Sequence, residues 1–370
     1  MYEYANRISS RGHSVCILHS ISRPFKKSST PLWLKGAIFS LRNVSRPRWF
    51  PLRPEVVSKV IPEAIDRFVP DADVTVSTWW EMAHMVAKLS GSKGIKVNLV
   101  QDYEVWNGFE DLVHESYKLP IQHVCISKYL TRTVAAYADF TPFHLPNAID
   151  LKIFGCSVAP LERDPRSVIM LLSPELRKGS RFGIEALGAL RARFPSLKAT
   201  LFGVHPRPDL PAWIRYHQKP SDLPALYNQH AIFLSPSLGE GWALPPAEAM
   251  CCGCAVVCTD IGGHQDYAIH DQTANLVPPE SSDAIVESIS SLIQSPAHRV
   301  SLARAGAEFI KSNFSWDTNT DRLIGKVSGW LKTCENLSGD ALRNPVCKAP
   351  MNSPGENVNN LHSPTEDPFF

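Results

Sequence analysis

Short, continuous runs of apolar residues recur along the chain, and stretches of helical spacing lie between them. Val15–Leu18, Val74–Ser77, Val97–Val100, His123–Ile126, Ser167–Leu172, Ala199–Phe202, Ala231–Leu234 and Ala255–Cys258 read as strands. Runs this short and unbroken suit parallel strands covered on both faces. Trp80–Leu89, Lys128–Tyr137, Phe182–Phe194, Leu223–Asn228 and Asp283–Ile293 carry the helical patterns between them. The alternation predicts an α/β protein of doubly wound domains. The segment LPNAIDLKIF, residues 145–154, interrupts it and reads as a linker. That places a first domain at 1–148 and a second at 149–314. Ser315 is a candidate N-cap for a terminal helix over 315–333. Residues 334–370, rich in Asn, Pro, Ser and Gly and without periodicity, are expected to be disordered.

The densest chemistry lies in SPSLGEGWALPPAEAMCCGCAVVCTD, residues 235–260, where Glu240 and Glu248 stand with seven residues between them. The apolar run Ala231–Leu234 precedes this segment. Pro245 and Pro246 mark a helix start, because proline suits the first helical turn and nothing deeper. Strand, glycine loop and helix N-terminus together form an architecture that binds phosphate. A carboxylate beside such a site can accept hydrogen bonds from sugar hydroxyls. Taken singly, Glu248 is also explained by the preference of a helix dipole for acid in its first turn.

GEGWALPPAEAMCCGCAVV resembles the E-x7-E signature of the retaining GT-B glycosyltransferases, the group 1 or family 4 set. The resemblance implies two Rossmann-like domains facing a cleft. It also implies transfer of a hexosyl-type sugar, with retention, from a nucleotide-sugar donor to a glycan or lipid-linked acceptor in cell-surface polysaccharide synthesis. By the same resemblance Glu240 would lie against the donor sugar and Glu248 would hold the ribose hydroxyls. Gly241, Trp242, Ala243, Leu244 and Gly263 would be further donor contacts.

IMLLSPELRKG, residues 169–179, resembles the family element whose Arg and Lys neutralise the donor diphosphate. Lys178 and Gly179 match it, whereas Ser173 stands at the Arg position. The neighbouring Arg177 would supply the missing charge. A leaving diphosphate needs positive donors placed in advance. An exposed basic pair in a loop is the plainer reading of the same two residues.

VQDYE, residues 100–104, resembles a rhamnosyltransferase-like sub-branch. It makes Asp102 a candidate catalytic residue beside Glu240 and Lys178, and Glu104 an acceptor-side or donor-sugar contact. Asp102 and Glu104 read equally as a helix N-cap and a first-turn charge. Ser127, in CISKYL, matches another family element, and a capping role accounts for it too. In DIGGHQD, residues 260–266, Gly262 and Gly263 permit close backbone approach, and His264 reads as a loop residue. YHQKPSDLPAL, residues 216–226, resembles the segment where the nucleobase lies. MYEYANRISSRGHSV resembles the family's first helix and second strand, so the first domain is expected to lack its first strand.

Composition narrows the picture further. A 44% apolar and 20% charged chain of 370 residues has a substantial core. A net charge of +2 gives no reason to expect a nucleic-acid partner. No G-x-G-x-x-G follows a strand and no Walker A string is present, so dinucleotide and P-loop enzymes are poorly supported. The D-x-D of Asp71–Asp73 precedes its strand and reads as a loop. The nine cysteines lack partners at metal-ligand spacing. No metal and no cofactor are therefore expected, the nucleotide-sugar being a substrate. No apolar run of about 18 residues and no signal-peptide core appear, so a cytoplasmic location is expected.

Between Arg23 and Arg53 stand eight Lys or Arg residues and no acid, with Trp33, Phe39, Trp49 and Phe50 interleaved. Such a stretch suits peripheral contact with the inner face of the plasma membrane. An exposed loop with buried anchors explains it as well. The rival readings of function are a catalytically impaired nucleotide-sugar-binding protein and a GT-B epimerase or phosphorylase.

Overall fold

Each of the apolar runs becomes a parallel strand. The computed structural model describes residues 1–25, 31–42, 44–47, 49–106, 108–207 and 209–338; most of the expected tail over 334–370 lies outside them. Strands of the second half are β7 (Ser167–Leu171), β8 (Lys198–Gly203), β9 (Ile214–Gln218), β10 (Ile232–Ser235), β11 (Ala255–Thr259) and β12 (Asn275–Val277). Those of the first half are β1 (Cys16–Ser20), β2 (Val57–Ile61), β3 (Val74–Ser77), β4 (Ile95–Val100), β5 (Gln122–Cys125) and β6 (Phe143–His144). The helices are α1 (Tyr2–Ser10), α2 (Leu32–Leu41), α3 (Trp80–Val86), α4 (Glu110–Tyr117), α5 (Lys128–Ala135), α6 (Ser180–Arg193), α7 (Leu223–Asn228), α8 (Leu244–Cys251), α9 (Ser282–Gln294), α10 (Pro296–Asn313) and α11 (Trp316–Ser338).

The second half forms one six-stranded parallel sheet in the order β12-β11-β10-β7-β8-β9. The chain enters at β7, winds outward to β9, then returns to pair β10 against the other side of β7. Ligands in such sheets bind beyond the carboxyl ends of the strands where the winding reverses. Here that place is the crevice between β7 and β10. All residues of β10 and β11 are buried, which is why they appear in the sequence as unbroken apolar runs.

In the first half the described strands make two sheets, β1-β2 and β3-β4-β5-β6, all parallel. Among the described residues no strand bonds β1 to β3. An apolar cluster of Ile61, Val69, Val86 and Leu89, with Leu18 and Phe68 against it, joins the first pair to α3.

Helix α11 returns to the first half. Its Trp316 ring meets Tyr4 edge-on at 5.0 Å, and Asp317 and Asp321 pair with Arg7 and Arg11 at 3.0 and 2.6 Å. Ser315 accepts from the Thr318 amide at 3.2 Å, as an N-cap does. The two halves also touch across the cleft. Asp266, buried in the second half, accepts from the Lys128 amide at 3.0 Å at the start of α5. A carboxylate there complements the positive end of a helix. Ser127 fills the adjoining role, accepting from the Leu130 amide at 3.1 Å.

Candidate functional site

The loops that follow β7 and β10 flank the reversal point, and they bring charged groups of opposite sign into it. Lys178, from the first loop, lies 2.8 and 2.9 Å from the two carboxylate oxygens of Glu240, from the second. Ser237 donates to the same carboxylate at 2.8 Å. The Glu240 side chain is only 9% exposed, so its charge acts in a poorly screened setting.

Backbone contacts fix the pair. The Leu238 amide donates to the Arg177 carbonyl at 2.7 Å, tying one loop to the other. Gly179 has φ +60°, and a side chain there would meet the Pro236 carbonyl at 1.9 Å. Glycine is therefore required by both conformation and space. A Cβ at Gly263 would strike Glu240 at 2.4 Å, and one at Gly241 would strike the Gln101 carbonyl at 2.2 Å. The Glu240 loop is thus pressed between the Gly263 turn and the first half of the molecule.

Asp102 follows β4 and faces this loop from the other side of the cleft. It is not a helix N-cap, since α4 begins only at Glu110. Its Oδ2 takes a 2.9 Å bond from Arg177, whose Nε bonds Glu175 at 3.0 Å and whose guanidinium lies 5.3 Å from the Trp106 ring. Arg177 therefore spans the cleft. Burial raises the Asp102 carboxyl above its ordinary value, and Arg177 opposes the rise. Ser173, at the expected Arg position, serves the loop instead. Its backbone carbonyl accepts from Ser180 Oγ at 2.9 Å and its hydroxyl accepts from the Glu175 amide at 3.2 Å.

Helix α8 starts at Leu244 with prolines in its first turn, as its sequence predicts. Those prolines also remove two of the N–H groups that a helix N-terminus usually offers to an anion. The Ala243 amide is already engaged with the Gly263 carbonyl at 3.3 Å. Fixed positive charge at the crevice therefore comes mainly from Lys178 and Arg177. Glu248, one turn into α8, accepts from Tyr227 Oη at 3.2 Å. Burial lifts its carboxyl to about 7, against the pull of that hydrogen bond.

Not every expected contact faces the crevice. The Trp242 indole is buried between Tyr267 and Phe314, with centroids at 4.9 and 5.6 Å, and belongs to the core. His264 is fully buried, with Nδ1 2.7 Å from the Thr259 carbonyl, and burial lowers its pKa. Arg163 lies against Cys252 and Cys254 in the turn after α8, donating to the Cys252 carbonyl and to the His230 carbonyl at 3.0 Å. Sequence reasoning did not single out Ser237, Tyr227 or Trp106. Tyr227 was hidden inside a helical apolar pattern, and nothing local marks the other two.

Glu104, two residues beyond Asp102, is buried, accepts from the Trp80 amide at 3.2 Å, and is raised by burial from 4.5 to about 7. A carboxyl raised in the folded state lends stability that is complete below its unfolded value and lost as pH rises through its folded value. Between pH 5 and 8 the wild type should lose up to about 3 kcal/mol through this group. Glu104→Gln should flatten that part of the slope in urea titrations across the range. Glu248 adds to the remaining slope with the same sign.

The same fold is seen in solved proteins. Anabaena HepE in complex with UDP superposes with a TM-score of 0.65 at 13% identity, over 85% of this chain and 100% of that one. With β7–β12 wound about the crevice and the first half facing it, the fold is GT-B, two Rossmann-like units across a cleft. Residues 162–309 match the family model described as glycosyl transferases group 1.

The group 1 match runs from just before β7 through most of α10, and it contains Lys178, Glu240, Glu248 and Gly263. Asp102 and Glu104 lie outside it. The lipopolysaccharide core biosynthesis mannosyltransferase LpcC of Rhizobium leguminosarum bv. viciae is 28% identical over 106 residues, 29% of this chain and 30% of that protein. O-antigen chain mannosyltransferase B of Escherichia coli is 34% identical over 115 residues, 30% of this chain and 29% of that protein. The match to this chain thus spans under a third of the length of each of these two relatives.

Proposed function

We propose that this chain is a retaining, family 4 type glycosyltransferase that moves a hexosyl-type sugar from a nucleotide-sugar donor to a glycan or lipid-linked acceptor. Cell-surface polysaccharide synthesis is the proposed setting, in keeping with the named roles of LpcC and the O-antigen enzyme. The observation that carries the reading is the Lys178–Glu240 pair, held at 2.8 Å at the reversal point of the second sheet.

In this reading the donor lies along the crevice between β7 and β10. Glu248, oriented by the buried Tyr227 hydroxyl, takes the ribose. Lys178 meets the diphosphate as it leaves, and Arg177 adds its charge once the diphosphate competes with Asp102 for it. Glu240 then faces the anomeric centre as that centre becomes cationic, and Asp102 faces the sugar or the acceptor from the first half. Fixed charges of this kind stabilise a transition state without reorganising at the moment of reaction. The proposal assigns charge neutralisation to side chains, with no metal.

The test is donor turnover. The full chain is incubated with UDP- and GDP-sugars and a glycan acceptor, nucleoside diphosphate release is followed, and product anomers are assigned by NMR. Release dependent on acceptor, with retained configuration, is expected. Tight donor binding without release, under every acceptor tried, would replace the transferase with a binding protein. Epimerised free donor, or cleavage that requires phosphate, would point to the epimerase or phosphorylase alternative.

A further inference from the structure

Helix α2, between β1 and β2, is poorly covered. None of its residues with described side chains is buried. Trp33 is 75% exposed and Leu41 87% exposed, Leu34 is open on the same helix, and Trp49, in the loop that follows, is 75% exposed with its ring edge-on to Tyr2 and Phe50. Soluble proteins seldom leave large apolar groups together in water unless something covers them. Along the helix itself the residues are apolar or small apart from Ser40 and one charge, Lys35.

Along the chain, the segment that carries this patch has charge of one sign. No Asp or Glu occurs between Glu3 and Glu55. Arg23 is occupied by Glu81, Arg46 donates to the Val56 carbonyl at 2.9 Å, and Arg53 pairs with Glu55 at 3.3 Å. Lys35 and Arg42 have no acidic partner among the described residues. A second copy docking through this face by a two-fold axis would set the same cations against one another. The charge instead requires an anionic partner, and the open tryptophans require one with an apolar interior. Those two demands describe an anionic bilayer, where indole rings settle at the headgroup level and Lys and Arg meet the phosphates.

We propose that α2 and Trp49 form a docking face for an anionic lipid bilayer, with Trp33, Leu34, Leu41 and Trp49 entering the interface and Lys35 and Arg42 meeting the headgroups. The placement suits the cleft. The chain leaves the carboxyl end of β1 at Ser20, and Arg23 then binds Glu81 in the first turn of α3, which itself follows the carboxyl end of β3. Asp102 follows the carboxyl end of β4 in the same sheet as β3. Docking through α2 would therefore bring the mouth of the cleft towards a lipid-linked acceptor, a consequence that rests on the proposed transferase activity; the docking itself does not.

Flotation of the full chain with vesicles tests it. With equal parts phosphatidylglycerol and phosphatidylcholine the protein should float, and with phosphatidylcholine alone it should not. Trp33→Ser with Trp49→Ser should lower the bound fraction about tenfold or more. Lys35→Glu with Arg42→Glu should abolish the preference for anionic vesicles. All four positions are on the surface, so thermal midpoints and donor turnover with a water-soluble acceptor should be unchanged. Failure of the wild type to float overturns the proposal, as does flotation that the substitutions leave intact. A dimer in sedimentation that Trp33→Ser dissolves would give the face to a second copy. Saturable binding of an acidic protein at this face, without flotation, would give it to that partner. Flotation without donor turnover would leave docking standing and remove the transferase reading, so the two failures are distinguishable.

Discussion

Glu240→Ala is expected to lower sugar transfer by at least about 10³-fold while the protein keeps its fold. The Glu240 carboxylate is held by Lys178 at 2.8 and 2.9 Å and by Ser237 at 2.8 Å, in a loop pressed against Gly263 and Gln101. It cannot swing away as charge develops, and burial keeps water from screening it. On the proposed reaction a cationic sugar centre forms against it, so its contribution is larger in the transition state than in the bound donor.

Removing the side chain leaves the backbone contacts of the loop in place. Lys178 loses its partner but keeps access to solvent in the cleft. The thermal midpoint should therefore stay within about 5 °C of the wild type. Glu240→Gln separates charge from shape, because the amide oxygen can still accept from Ser237. If charge is what matters, Gln should be nearly as impaired as Ala. Wild-type turnover in Glu240→Ala would remove Glu240 from the mechanism, and wild-type turnover in Glu240→Gln would remove its charge from it.

Lys178→Ala should cost about 10²–10³-fold in turnover, with a smaller effect on donor affinity. The ammonium touches both oxygens of one carboxylate, so it is used as a point charge, and the forked guanidinium of Lys178→Arg should recover little. Lys178 and Glu240 are a coupled pair, and the doubly substituted protein should be scarcely worse than Glu240→Ala alone. Single-turnover kinetics and calorimetry with the nucleoside diphosphate separate the two effects. Turnover within about threefold of the wild type would shift the assignment to Arg177, the other cation at the crevice.

Much of the architecture was legible because buried parallel strands and helix starts are local signals. β10 and β11 are unbroken apolar runs because both their faces are covered, and α8 begins where Pro245 and Pro246 permit. The strands that escaped notice, β2, β6, β9 and β12, include the edges of their sheets or are very short, and β9 (IRYHQ) mixes polar with apolar residues. An edge strand has one unpaired side and a wetter face, so its pattern fades.

The site divides the same way. Glu240, Glu248, Lys178 and Gly179 could be chosen from the sequence because each sits in a short motif whose backbone is dictated nearby. That Lys178 would grip Glu240, 62 positions away, and that Arg177 would cross the cleft to Asp102, 75 positions away, follows only from the strand order. So does the fate of Trp242, which has the residue type of a ligand contact and the surroundings of a core side chain. Sequence alone determined the alternation of strands and helices and the chemistry of the two loops, since both rest on neighbouring residues. Only the tertiary structure decided which charges meet, because pairing across a reversal point depends on where the sheet returns the chain.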